Sequence, residues 1–258
     1  MIFFYSFLIF LFGASLGSFA NVCIYRLPRD KQIISGRSFC PGCKKKINWY
    51  DNLPLISFIL LNKKCRNCKK TISLRYFLVE LITGISFSTI YLNFENFYII
   101  VFLSILVLIL IMIFFIDLEN FIIPDSLNFI IIGLALIKNF LPSFNTNLVH
   151  DINQSIVGGI VGYFSIWLII FLYKFFKKIE GMGLGDAKLM AGIGLLFGWQ
   201  SIPLVLFISS VIGLIFVIPS LLKKQKDMSS KIPFGPFIIL GSLIYFAIGD
   251  FLYALILV

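Results

Sequence analysis

Residues 97–116 have the sequence FYIIVFLSILVLILIMIFFI, in which Tyr98 and Ser104 are the only polar side chains. A helix of this length is about 30 Å long, because each residue adds about 1.5 Å, and this matches the hydrocarbon thickness of a bilayer. The stretch therefore predicts a membrane-spanning helix. Asp117 follows it directly, so a carboxylate is expected at the membrane edge.

Similar apolar runs occur on both sides of this one. The chain of 258 residues is 59% hydrophobic and 13% charged, and its mean hydropathy is +0.99. This composition excludes an ordinary water-soluble fold, a coiled coil and a disordered chain. We predict an all-α polytopic membrane protein with about eight transmembrane helices. The apolar runs lie at about 1–24, 76–92, 97–116, 126–141, 155–176, 187–200, 201–222 and 234–257.

Positive charge is concentrated in residues 25–75. This segment holds 13 Lys or Arg residues and two acidic residues, which gives a net charge of +11. The rest of the chain has 9 Lys or Arg residues and 10 acidic residues, a net charge of −1. A basic segment between two apolar runs follows the positive-inside rule, which favours a cytoplasmic location over a nucleic-acid partner. Eight spans then place both termini outside, and 21 of 22 basic residues inside, with Lys138 as the exception.

This charge pattern predicts three segments along the chain. Residues 1–24 form the first transmembrane helix, residues 25–75 a basic cytoplasmic domain, and residues 76–258 the remaining transmembrane domain. The partner that the composition requires is the lipid bilayer, and no nucleic acid is expected.

The cytoplasmic segment contains two Cys-x-x-Cys pairs, Cys40 with Cys43 and Cys65 with Cys68. Two such pairs can supply four thiolates to one tetrahedral Zn²⁺, as in a zinc ribbon. Two disulfides are the alternative, which a reducing cytosol disfavours. A segment of about 50 residues with few large aliphatic side chains forms only a small hydrophobic core, so a metal ion that cross-links the two cysteine pairs is expected to stabilise it. We therefore predict a structural zinc site.

Two carboxylates are predicted at the cytoplasmic membrane face. Asp117 ends the third span, and Asp186 opens the sixth within the sequence GMGLGDAKL at 181–189. Two carboxyl groups at one depth can share a proton, because repulsion keeps one protonated while the other is ionised. Such a pair can activate water as an aspartic protease does. Two alternatives stay open: Asp117 can end a span in interfacial water, and Asp186 can cap the next helix.

Other ionisable residues allow fewer conclusions. Asp125 follows Pro124 and is expected to start the fourth helix, which favours a structural role. Glu80 lies about one turn inside the second span and either pairs locally or faces a cytoplasmic site, and Asp250 lies deep in the last run. The single histidine excludes Ser-His-Asp and histidine-rich metalloprotease sites.

Several motifs follow one another along the chain. They are GSFANV at 17–22, YRLP at 25–28, the two cysteine pairs with INWYDNLP at 47–54 between them, IS at 72–73, RY at 75–76 running to Glu80, ID at 116–117 with IPD at 123–125, and GMGLGDAKL at 181–189. In this order they resemble the motifs of the bacterial type IV prepilin leader peptidases, also called prepilin peptidase/N-methyltransferases.

The resemblance implies an integral membrane aspartic endopeptidase of the bacterial inner membrane, with eight spans. Members of this family cut the short basic leader from type IV prepilins or pseudopilins after a glycine, on the cytoplasmic side. By the matching motifs, the catalytic aspartates of the family correspond to Asp117 and Asp186 of this chain. Many members then methylate the new N-terminal residue, usually Phe, with S-adenosylmethionine, and the tetracysteine loop is associated with this bifunctional form.

Methylation is implied by the resemblance alone, because the chain has no glycine-rich turn of the dinucleotide-binding type. A peptidase without methylation is therefore the nearest alternative. A transporter with a cytoplasmic zinc-binding loop is the alternative from another class, since intramembrane acids and glycine-rich helices also serve proton relays.

Overall fold

The computed structural model describes residues 1–33, 38–140, 148–178, 182–222 and 232–256, without the side chains of 219–222, 250 and 252–256. Asp250 and the basic residues at 223–231 thus lie outside the described side chains. The helices in these ranges are α1 (Ile2–Arg26), α2 (Ile56–Leu60), α3 (Leu74–Asn93), α4 (Phe97–Asn120), α5 (Asp125–Ile137), α6 (Ile152–Lys177), α7 (Leu184–Phe197), α8 (Ser201–Leu222) and α9 (Gly235–Ile256). The chain forms two compact units, Met1–Met112 and Ile113–Val258.

The helices reproduce the predicted pattern of apolar runs. Every helix in the described ranges except α2 coincides with one of the eight runs. Within those ranges five helices, α1, α3, α4, α6 and α8, are long and apolar enough to cross a membrane. Helices α5 and α7 have only 13 and 14 residues, and α9 departs from helical geometry at Ile248. The all-α membrane fold is confirmed, whereas eight crossings and the three segment boundaries stay predictions.

In the first unit, α1 and α3 approach each other closely where the C-terminal half of α1 meets the first turns of α3. A Cβ atom on Gly17 would lie 2.8 Å from the Cα atom of Glu80, so only glycine permits this separation of the two backbones. The side-chain amide of Asn21 donates a hydrogen bond to the carbonyl oxygen of Tyr76 at 3.0 Å. These contacts fix the two helix ends from which the cysteine-containing segment extends.

The short helix α2 is attached to the first turns of α3. The ring of Phe58 stacks on that of Phe77 with 5.2 Å between the ring centroids. The Glu80 carboxylate accepts a hydrogen bond of 2.8 Å from the N–H of Leu55, which has a φ of +60°. Because leucine rarely adopts this conformation, the buried carboxylate supports a strained turn. Glu80 thus bonds to the residue before α2, 25 positions away along the chain, and its two predicted roles, local pairing and facing a cytoplasmic site, stay predictions.

In the second unit, α7 is the buried helix, with ten of its 14 residues buried. Helix α6 crosses it so closely that a Cβ atom on Gly158 would collide with the carbonyl oxygen of Gly194, and the reverse is also true. On its other side, a Cβ atom on Gly192 would lie 2.7 Å from a methyl group of Ile131 in α5. Glycine thus lets α7 fit between two neighbouring helices.

Replacing Gly158 or Gly194 by alanine is expected to destabilise the second unit, because the added methyl group meets a backbone carbonyl that cannot rotate away. Overpacking of this kind typically costs about 1–3 kcal/mol. The midpoint of thermal unfolding in detergent should fall in both variants. Gly133→Ala in α5 is the matched control, since a Cβ atom there meets nothing within 4 Å. Equal midpoints in all three variants would contradict the close crossing.

Candidate functional site

Asp117 lies in the last turn of α4 and is only 4% exposed. Its Oδ2 atom accepts a hydrogen bond of 3.0 Å from the backbone N–H of Gly235, at the start of α9. A Cβ atom on Gly235 would lie 2.7 Å from the same oxygen, so the backbone can come this near only at a glycine. The burial excludes the alternative that Asp117 merely ends a span in interfacial water.

Asp186 lies in the first turn of α7 and is also buried. Gly183 is the N-cap residue of this helix, so the alternative that Asp186 serves as the cap is wrong. The Oδ1 atom of Asp186 is buried and has no hydrogen-bond partner among the described residues. A Cβ atom on Gly235, the partner of Asp117, would lie 2.9 Å from Ile123, and one on Gly185, the residue before Asp186, would lie 3.0 Å from Ile123 as well. The two predicted aspartates are therefore brought to the same part of the second unit.

The two carboxyl groups have different surroundings, which bears on the chemistry they can perform. Asp117 accepts a hydrogen bond from a backbone donor, whereas the buried Oδ1 atom of Asp186 has no partner among the described residues. Their mutual repulsion in a poorly solvated site disfavours the state in which both are ionised. One proton shared by two such groups provides an acid and a base at the same place.

Asn128 is a residue of this site that the sequence analysis did not select. It is 1% exposed, and its side-chain amide donates a hydrogen bond of 3.2 Å to the carbonyl oxygen of Gly185. This bond ties α5 to the residue just before Asp186. A polar amide inside the predicted apolar run 126–141 was the available signal, because a buried amide needs a partner.

Asp125 begins α5, as the sequence predicts. Its carboxylate accepts a hydrogen bond of 2.7 Å from the ammonium group of Lys188, two residues after Asp186. The ion pair joins the N-terminal parts of α5 and α7, close to Asp186 along the chain. A structural role for Asp125 is consistent with this contact.

The four cysteines of the first unit also come together. The Sγ atoms of Cys40, Cys43, Cys65 and Cys68 all lie within 4.8 Å of one another, and all four residues are free thiols. The Sγ atoms of Cys40 and Cys68 are 3.8 Å apart. Four sulfurs placed about 2.3 Å from a tetrahedral Zn²⁺ are separated by about 3.8 Å, so the geometry fits a four-thiolate metal site.

The two cysteine pairs lie in hairpins of the same construction. In each hairpin the N–H of the first cysteine donates to the carbonyl oxygen five residues later at 2.9 Å. The residue after the second cysteine, Lys44 or Lys69, has a φ of +58°. The backbone N–H groups of Cys68 and Asn67 lower the pKa of the Cys65 thiol to about 7. For Cys68 the N–H of Lys70 acts in the same direction, but desolvation and the neighbouring thiols outweigh it and raise the pKa to about 11. The opposite shifts reflect thiols held within a few ångströms of one another, as a shared metal requires.

Fold and site together define a multi-pass membrane protein with a buried carboxyl pair and a tetracysteine loop. Comparison with known families gives a more specific assignment. Residues 11–94 match the bacterial Peptidase A24 N-terminal domain, and residues 104–218 match the Type IV leader peptidase family.

Curated relatives extend this match over most of the chain. A prepilin leader peptidase/N-methyltransferase of Vibrio cholerae is 38% identical over 240 residues, 90% of this chain and 92% of the relative. Proteins of the same name from Aeromonas salmonicida and Neisseria gonorrhoeae are each 32% identical, covering 94% and 92% of this chain and 90% and 88% of the relative. No solved structure matches. The chain belongs to the type IV leader peptidase family, and the resemblance inferred from its motifs is confirmed.

The ion pair between Asp125 and Lys188 is expected to contribute only slightly to stability, because the two side chains are 58% and 30% exposed. A double-mutant cycle with Asp125→Asn and Lys188→Met should give a coupling energy of about 0.2–1 kcal/mol, measured by unfolding in detergent. Exactly additive effects would show that the contact does not join α5 to α7.

Proposed function

We propose that this chain is a membrane-embedded aspartic endopeptidase that removes the short basic leader from type IV prepilins or pseudopilins after a glycine. It then methylates the new N-terminal residue with S-adenosylmethionine. The buried pair of Asp117 and Asp186, in a member of the type IV leader peptidase family, carries the peptidase proposal. The name shared by the relatives supports both activities and favours an enzyme over a transporter.

Cleavage adds one water molecule across the scissile peptide bond. One carboxylate accepts a proton from the water, whose oxygen attacks the glycine carbonyl carbon, while the other carboxyl group donates its proton to the carbonyl oxygen. The first group then passes the proton it took from water to the leaving nitrogen as the C–N bond breaks, and the second recovers a proton from the hydroxyl as the new carboxyl group forms. The hydrogen bond from Gly235 supports Asp117 as the fixed member of the pair. The unpartnered Oδ1 atom supports Asp186 as the member that meets the water.

The orientation of the chain follows from the distribution of charge. Residues 25–75 are assigned to the cytoplasm and both termini to the outside of the inner membrane. The end of α4 and the start of α7 then lie at the cytoplasmic face. A prepilin whose hydrophobic helix lies in the bilayer and whose basic leader extends into the cytoplasm presents its scissile bond at the depth of the carboxyl pair.

Each of the two non-protein groups has a limited part in this proposal. One structural Zn²⁺ held by the four cysteines would join the two hairpins, and it takes no part in peptide cleavage. S-adenosylmethionine supplies the methyl group for the second activity. Because the tetracysteine loop is associated with the bifunctional members of the family, methylation is expected to require the folded loop.

Membranes containing the protein, mixed with a prepilin-like substrate and S-adenosylmethionine, should yield a product cut after glycine and one methylene heavier, about 14 Da. Asp117→Asn and Asp186→Asn should each slow cleavage by roughly 10²–10⁴-fold, since each removes one proton-transfer group. Gly235→Ala should give a smaller loss, because it displaces Asp117 without removing it. Asp30→Asn is the matched control, an exposed carboxylate on the proposed cytoplasmic side. Mass spectrometry of the product gives the extent of cleavage and of methylation for the wild type and the four variants.

The possible outcomes separate the alternatives. Cleavage that survives both substitutions in the pair overturns the proposed mechanism. Cleavage without methylation supports the peptidase-only alternative. Solute flux that depends on Asp186, with no peptide product from the wild type, supports the transporter.

Purified protein is expected to contain about one zinc ion per chain, as a four-thiolate site binds one metal. Cys40→Ser and Cys65→Ser should lose it, because each removes a ligand, and both should lose methylation while cleavage continues. Cys23→Ala, a buried cysteine of α1 outside the cluster, is the control and should keep the metal. Elemental analysis gives the ratio. Full zinc occupancy in both serine variants would contradict the site.

A further inference from the structure

The segment from 49 to 60 carries a set of large apolar side chains that the described part of the chain does not cover. The segment consists of a turn at Trp49–Asn52 followed by α2. Its apolar face comprises Trp49, Leu53, Ile56, Ile59 and Leu60, which are 76%, 43%, 51%, 63% and 75% exposed. Water-soluble surfaces rarely expose five large apolar side chains within 12 residues, and such a concentration usually marks an interaction surface.

The contacts of α2 place this apolar face at the depth of a membrane surface. Helix α3 has 20 residues and is therefore about 30 Å long, so crossing the hydrocarbon layer requires its whole length. Phe58 and Leu55 contact Phe77 and Glu80, which lie about 4.5 and 9 Å beyond the first residue of α3. Helix α2 thus lies beside the first turns of a spanning helix, with its buried side towards α3.

Basic side chains adjoin the apolar face. Lys63 and Lys64 follow α2 within four residues, and both are exposed. An open groove of about 450 Å³ is lined by Leu60, Leu61, Asn62, Lys64, Arg66 and Lys69. Leucine and lysine side chains along one groove match a phospholipid, whose phosphate lies directly above its acyl chains.

We propose that residues 49–60 insert into the cytoplasmic leaflet as an interfacial segment. Its apolar face lies among the upper acyl chains, and Lys63, Lys64 and Lys69 contact the phosphates of anionic phospholipids. Lipid fits this surface better than a prepilin does, because the basic leader of a prepilin is repelled by the lysines. The cysteine hairpins are thereby held on the membrane surface. The leaflet assignment relies on the orientation proposed above, whereas the insertion itself does not.

Fluorescence of Trp49 in the full-length protein tests this insertion independently of activity. The variant Trp167→Phe/Trp199→Phe keeps Trp49 as its single tryptophan. In nanodiscs containing anionic phospholipid, its emission should be blue-shifted and protected from aqueous iodide. Lipids brominated near the headgroup end of the acyl chain should quench it more than lipids brominated near the chain terminus. Trp49→Phe/Trp199→Phe, which keeps Trp167 in the spanning helix α6, is the positive control.

A charge-reversal pair tests the lipid phosphates. In the Trp49-only background, Lys63→Glu/Lys64→Glu should lower bromolipid quenching and raise iodide quenching. Lys44→Glu/Lys45→Glu makes the same change at exposed lysines of the other cysteine hairpin and should leave both values near those of the parent. Retained zinc in both variants confirms that the loop is folded.

Three results would overturn the proposal. The first is Trp49 emission that iodide quenches and bromolipid does not. The second is protection of Trp49 only after a prepilin-like peptide is added, which assigns the face to the substrate. The third is protection only at high protein-to-lipid ratio, which assigns it to a second copy of the chain. If the wild type has no peptidase activity while bromolipid quenches Trp49 as expected, the result counts against the proposed function and leaves the insertion proposal intact.

Discussion

The contact between Gly158 and Gly194 determines where the carboxyl group of Asp186 can lie. Inside a bilayer, water does not drive helices together, so their association depends on packing and on small residues that let backbones approach. Helix α7 meets α6 through these two glycines and meets α5 through Gly192. Enclosed on both sides, α7 holds Asp186 at a fixed position in the part of the unit where Gly235 contacts Asp117. A larger side chain at the crossing would move the helix that carries half of the candidate active site.

Patterns that repeat along the sequence predicted most of the fold, and contacts between distant residues were missed. The apolar runs located the long helices, and the spacing of the cysteines located their cluster. The membrane depth of the two aspartates predicted their proximity. In contrast, the hydrogen bond from Gly235 to Asp117 joins residues 118 positions apart, and no periodicity encodes it. Helix α2 was missed because five residues are too few to give a helical pattern, and its position depends on contacts with Phe77 and Glu80.

Three carboxylic acids are buried within the described residues, and their partners distinguish them. Glu80 accepts the N–H of Leu55 and thereby supports a turn, which is a structural task. Asp117 accepts the N–H of Gly235. Only Asp186 has a buried carboxylate oxygen without a partner in the described part of the chain. Since buried polar atoms are nearly always satisfied, this oxygen is the carboxylate atom at which a water molecule or a substrate group would find a hydrogen-bonding position.

The short length of α7 has a consequence for the route by which water can reach Asp186. Its 14 residues form a helix about 21 Å long, about 9 Å less than the thickness of the hydrocarbon layer. Because ten of these residues are buried, other parts of the protein, and not lipid, surround most of the helix. Asp186 lies in the first turn, at one end of this short helix. Water that meets its carboxyl group therefore has to pass between protein segments, so the walls of that passage control the supply of one reactant.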